Sequence, residues 1–124
     1  MTGFIVFAHG SRIEAANEAV RAVSAGMAGA LAATNDAIVE TAFLELGTPD
    51  LGRAVERLME RGARRVVVIP YFLTLGRHVD LDLPKIVQAI SQRHGGIEIE
   101  ITPPLDGHPA LLQILLDRAR GALL

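Results

Sequence analysis

A chain of 124 residues, half of them apolar and 21% charged, reads as one globular domain spanning residues 1–124 and excludes a disordered or fibrous protein. Twelve Lys and Arg against fourteen Asp and Glu leave a formal charge of −2, without the basic stripe that a nucleic acid partner requires. The absence of cysteine excludes disulfides, thiolate metal sites, iron–sulfur clusters and cysteine nucleophiles, so that a metal ion can meet only nitrogen or oxygen.

Met1, Thr2 and Gly3 run directly into the apolar stretch Phe4 to Ala8 with no basic region or cleavage signature, and no apolar run approaches the roughly 20 residues of a membrane span. The expectation is a cytoplasmic protein without a membrane partner. Four short apolar segments, residues 3–8, 37–44, 65–71 and 97–101, alternate with four segments of helical period, the mark of a parallel α/β sheet. The third, with Val66, Val67, Val68 and Ile69, is apolar without alternation and predicts a strand covered on both faces.

The first helix places Ile13, Ala16, Val20, Val23, Met27 and Leu31 on its apolar side, with Arg12, Glu14, Asn17, Glu18 and Arg21 on the others. The second is expected to begin with Thr48 as N-cap and Pro49 in the first turn, to bury Leu51, Val55 and Leu58, and to end at Gly62. The third should follow Pro84, because proline disfavours helical geometry at Leu83, which leaves residues 75–82 mostly loop. The fourth, from Pro109 to about Ala122, spreads Leu111, Leu112, Ile114, Leu115 and Leu116 around more of its circumference than one sheet face covers, which suggests a second subunit. Right-handed crossovers and short loops favour a four-stranded sheet in the order 2-1-3-4 with helices on both faces.

Ligands of such sheets bind beyond the carboxyl ends of the strands. His9 ends the first strand, Glu45 the second, and His78 follows the third, at separations of 36 and 33 residues, near one strand–helix repeat. All three are thereby delivered to one sheet edge. Two imidazoles and a carboxylate suit divalent cobalt, iron or nickel, and histidine or a tuned glutamate can also accept protons near neutral pH. Plain structural readings stand beside this one. His9 could be a satisfied strand-end histidine, Glu45 a carboxylate bonded to backbone N–H groups, and His78 the partner of Asp80 or Asp82. Gly10 and Ser11 open a backbone approach at a helix start, and Arg12 and Arg77 flank the histidines as candidate carboxylate contacts or as solvated arginines. Tyr71, Phe72, Leu73 and Leu75 prolong an apolar run where loops are normally polar, either for a flat ligand or to finish the core. His94 and His108 read as helix-end and helix-start residues, and Arg53, Arg57 and Arg61 beside Glu56 and Glu60 as a solvated face. Phosphate-loop, dinucleotide and nucleophile-elbow motifs are absent.

His9-Gly10-Ser11-Arg12 with Asn17, Phe43-Leu44-Glu45, and Pro70-Tyr71-Phe72-Leu73 through Gly76, His78, Asp82 and Pro84 together resemble the short, single-domain class II sirohydrochlorin chelatases over nearly the whole chain. The resemblance implies a flavodoxin-like, chelatase-type fold and ATP-independent insertion of cobalt, iron or nickel into sirohydrochlorin. It implies His9, Glu45 and His78 as the metal-binding and catalytic residues, the tetrapyrrole as partner, a homodimer, and no organic cofactor, the divalent metal being a substrate. Gly10, Ser11, Arg12, Phe72, Leu73, Leu75 and Arg77 are the expected substrate contacts. The rival readings are a non-catalytic protein that binds or delivers metal or tetrapyrrole, and an oxyanion-binding enzyme acting on phosphate esters through Gly10, Ser11 and the helix that follows.

Overall fold

The computed structural model describes residues 1–33 and 36–123. Strands β1 (Thr2–Ala8), β2 (Ala37–Phe43), β3 (Arg65–Pro70) and β4 (Glu98–Ile101) alternate with helices α1 (Glu14–Ala32), α2 (Leu51–Glu60), α3 (Arg77–Arg93) and α4 (Pro109–Ala122). All strand pairs are parallel and the order is β2-β1-β3-β4, as the sequence predicts. β1 and β3 therefore fill the centre, which accounts for the unbroken apolar run at Val66, Val67 and Val68.

Register separates the two faces. Ile5, Phe7, Ala42, Val66 and Val68 pack with Leu51, Ala54, Val55 and Leu58 of α2 and with Leu83, Val87 and Ile90 of α3 in one core cluster. Gly3 makes room for it: a Cβ there would fall 2.8 Å from Leu58 Cδ1. Val6 stands beside Thr41 on the opposite face, where the Thr41 hydroxyl donates to Ser24 Oγ of α1 at 2.7 Å.

Three expectations about the helices are corrected. On α1 the buried residues are Asn17 and Ser24, whereas Ile13 precedes the helix as its N-cap and is exposed, as is Val23. Counting apolar residues assigned Asn17 to a solvent face; the bonds its amide makes at the head of the sheet bury it instead. The N-cap of α2 is Asp50, whose carboxylate accepts from Arg53 N at 2.9 Å, so Thr48 and Pro49 lie in the preceding loop. Most of the stretch expected as loop before Pro84 is helix: α3 begins at Arg77 and carries Pro84 inside it. Val79, Leu83, Val87 and Ile90 form a continuous stripe against the core, and burying that stripe outweighs the hydrogen bond that proline forfeits.

The charged face of α2 is more structured than expected. Arg53 bonds Glu56 and Glu60, each at 3.1 Å, while Arg57 and Arg61 reach Glu40 of β2 at 3.7 and 3.2 Å. On α4, by contrast, no described residue is buried, and Leu112, Ile114 and Leu115 are exposed. No helix among the described residues is long and apolar enough to cross a membrane. Because Leu58 is fully buried at the centre of the α2 core, Leu58→Ala is expected to cost about 2–5 kcal/mol, and Asp50→Ala about 1 kcal/mol through the lost cap. Urea denaturation should show both as lowered midpoints at unchanged slope.

Candidate active site at the carboxyl edge of the sheet

The carboxyl ends of β1 and β2 run directly into the residues of interest. The ladder between these strands continues past their ends, with Leu44 N donating to Ala8 O at 2.9 Å and Glu45 N to His9 O at 3.0 Å. Backbone pairing thus holds His9 and Glu45 side by side, and their side chains meet with His9 Nε2 3.3 Å from Glu45 Oε1. Both side chains remain more than half exposed, at 55% and 58%.

His9 Nδ1 lies 3.2 Å from Gly10 O, and Nε2 faces the Glu45 carboxylate. A neutral imidazole has one nitrogen that donates and one that accepts, so the pair joins either by an Nε2–H bond to Glu45 or, in the other tautomer, through a cation shared by Nε2 and the carboxylate. An imidazole nitrogen beside a carboxylate is a donor set that suits a divalent metal. Phe72 from the β3–α3 loop sets its ring edge-on to the His9 ring, with centroids 6.5 Å apart, and packs on buried Phe7 at 6.1 Å.

Two features hold the loops at this spacing. Gly10 adopts φ +96°, and a Cβ on it would fall 1.7 Å from Glu45 O, so only glycine permits the approach. Asn17, buried beneath, accepts from Ser11 N at 2.9 Å through Oδ1 and donates through Nδ2 to Ser11 O at 2.9 Å and Leu46 O at 3.0 Å. One amide from α1 thus clamps the loop after β1 to the loop after β2. Glu14, which also meets Asn17, is held below the usual carboxylate range, chiefly by its bond from Arg21. Arg21 in turn lies over the Phe43 ring at 5.2 Å and donates to Thr48 O at 3.2 Å.

The remaining candidates are distributed as follows. His78 lies in the first turn of α3, exposed, and forms no ion pair with Asp80 or Asp82. Among the described residues no group of three or more His, Asp or Glu gathers closely enough to hold a metal, so the expected convergence reduces to the pair His9 and Glu45. Arg12 and Arg77 are exposed and outside any ion pair among the described residues, and Leu73 is exposed. Leu75 instead lines a cavity of about 290 Å³ with Leu83, Pro84, Ile101 and Pro103. Ser11 Oγ accepts from Ile13 N at 3.0 Å and the Ser11 N–H is taken by Asn17, which leaves only the hydroxyl proton of Ser11 to donate to an anion. That narrows the support for the oxyanion-binding reading. His94 caps the end of α3 and lies 3.8 Å from Glu56, and His108 accepts from Ala110 N at 3.0 Å at the start of α4. Asn17 and Leu46 were missed as site-forming residues, although Asn17 lies within the motif that carried the resemblance.

The fold and site are those of a parallel α/β domain whose carboxyl-edge loops present an exposed imidazole–carboxylate pair. The CbiX family model matches residues 3–122, and the chain belongs to the CbiX family. It is 40% identical over 86 residues to the chloroplastic sirohydrochlorin ferrochelatase of Arabidopsis thaliana, covering 69% of this chain but only 38% of that protein. With the sirohydrochlorin cobaltochelatase of Sulfolobus acidocaldarius it shares 28% identity over 123 residues, 99% of this chain and 94% of the relative. The crystal structure of a CbiX protein from Marinobacter aquaeolei VT8 superposes with a TM-score of 0.81 at 26% identity, covering 99% of this chain and 98% of the other.

Asn17→Ala should destabilise the fold by about 1–3 kcal/mol, because it strands the Ser11 N–H and the part-buried carbonyls of Ser11 and Leu46. Gly10→Ala should cost at least about 3 kcal/mol, since the loops must separate to admit the methyl group. Thermal melts of the two variants check both expectations.

Proposed function

We propose that this chain inserts a divalent metal, cobalt first and iron or nickel as alternatives, into sirohydrochlorin without nucleotide or organic cofactor. The observation that carries the reading is the exposed His9–Glu45 pair, 3.3 Å apart, an imidazole and a carboxylate side by side at the carboxyl edge of the sheet. Membership of a family whose relatives are named sirohydrochlorin cobaltochelatase and ferrochelatase supports the choice of macrocycle and metals. The metal ion is a substrate here, so it must be held firmly enough to be presented and loosely enough to leave.

Insertion replaces two pyrrole N–H protons with one M²⁺ ion. In the proposed mechanism His9 Nε2 and a Glu45 oxygen hold the incoming ion at one ring face, and as the ion passes to the pyrrole nitrogens the vacated Nε2 and carboxylate accept the two protons. His78, exposed in the first turn of α3, serves as a further ligand or base once substrate is bound. Phe72, Leu73 and Leu75 supply apolar contact to the macrocycle. Arg12 and Arg77 take its peripheral carboxylates, and Gly10 and Ser11 let the backbone approach. We further place the protein in the cytoplasm as a homodimer. The apolar residues that α4 leaves exposed support the second subunit.

The alternative of a carrier that binds without turnover is separated by one assay. Purified protein at substoichiometric concentration, mixed anaerobically with sirohydrochlorin and Co²⁺, is expected to drive the absorbance change of metallation through many turnovers; a single stoichiometric burst would identify a carrier. His9→Ala and Glu45→Ala should each slow insertion by about 10²-fold or more, while circular dichroism melts stay near wild type because both side chains are largely solvated. Undiminished turnover in both variants would remove the pair from the mechanism.

A further inference from the structure

Large aliphatic side chains stand in solvent in each loop that follows β1, β2 and β3 at the carboxyl edge. Ile13 is 69% exposed, Leu46 48% and Leu73 64%. Leu46 is exceptional. Its φ of +57° makes it the only non-glycine residue with positive φ among those described, a backbone region where the side chain of an L-residue crowds the main chain. Glycine would occupy the position freely, and the next residue, Gly47, shows that this loop uses glycine where contact demands it: a Cβ there would fall 2.8 Å from the Phe43 ring.

Packing does not explain a leucine at this position, because half of the side chain faces water. Nor is the conformation accidental. Leu46 O accepts from Asn17 Nδ2 at 3.0 Å, which fixes the peptide that follows, while Glu45 N on the other side is bonded to His9 O at 3.0 Å. The backbone is thus held in a costly state that projects an apolar group into solvent one residue from Glu45. Strain maintained at such a position points to a role in binding.

We propose that Leu46, joined by Ile13 and Leu73, is an apolar contact for the face of a flat conjugated macrocycle and determines the affinity of the site for it. The inference rests on the chelatase reading and deepens it. A tetrapyrrole has an apolar ring face and a carboxylate rim, so an apolar surround to the His9–Glu45 pair receives the ring. It also removes water from the cation that the pair holds.

Glycine at position 46 makes a sharp test, because it relieves the backbone strain and deletes the contact together. Metal-free sirohydrochlorin is titrated into wild type, Leu46→Gly and Leu46→Asn by fluorescence, and each protein is also melted thermally. The expected result is a melting temperature no lower than wild type for Leu46→Gly, with Kd for the macrocycle weakened roughly five- to tenfold in both variants. Leu46→Asn keeps a side chain that tolerates positive φ, so it answers the question even if the glycine variant loosens the loop. A Kd within twofold of wild type in both folded variants would overturn the role of Leu46 while leaving the chelatase reading intact. Failure of the wild-type protein to bind the macrocycle at all would overturn that reading, and this inference with it.

Discussion

The contact between two loops governs this molecule: Glu45 O rests where a side chain on Gly10 would be, and the Asn17 amide binds Ser11 on one loop and Leu46 on the other. Without it, His9 and Glu45 would be two exposed side chains on independent loops, and holding them 3.3 Å apart would cost conformational entropy at every encounter with a ligand. That cost is met during folding. A fully bonded buried amide is favourable where a half-bonded one is expensive, so the clamp is either complete or absent.

This separation of duties lets the site be both exposed and rigid. The groups that set the geometry, Asn17, Gly10 and Phe7 with the half-buried Phe72 against it, are largely covered or made of backbone, whereas the groups available for chemistry are solvated. An exposed imidazole–carboxylate pair contributes little to stability, since water screens it. Its persistence at this distance reflects the scaffold beneath it more than the attraction between the two groups. Under the proposed function, such a site would bind and release a metal ion in every cycle without disturbing the fold.

Much of this was legible in the sequence, for a definite reason. Alternation of apolar and helical segments determines a parallel sheet, and a repeat of a little over thirty residues delivers strand-end residues to one edge, so His9 and Glu45 could be placed together without coordinates. What stayed hidden depended on long-range contacts that override local rules. Pro84 signals a helix start, but the stripe from Val79 to Ile90 needs the core to be present before it can carry a helix through a proline. Asn17 looks like a solvent residue until the two loops it joins are folded against it. His78 shared the expected sheet edge, yet an α3 that begins at Arg77 holds it on a helix of its own, where sequence separation alone could not resolve the distance.

The same reasoning bears on α4, the element with least to pack against. The connector before it is stitched to the site: Leu105 N donates to Phe72 O at 2.9 Å and Asp106 N to Leu73 O at 2.8 Å, two residues ahead of the His108 cap. Phe72 is therefore held between buried Phe7 on one side and the α4 connector on the other, with the His9 ring against its edge. The third loop is tied to the core, through Tyr71 N on Phe7 O at 2.7 Å and the Phe7–Phe72 contact, and also to the connector of the helix that buries least. In the proposed dimer, a second subunit covering α4 would rest on the element that two backbone bonds join to the loop beside His9.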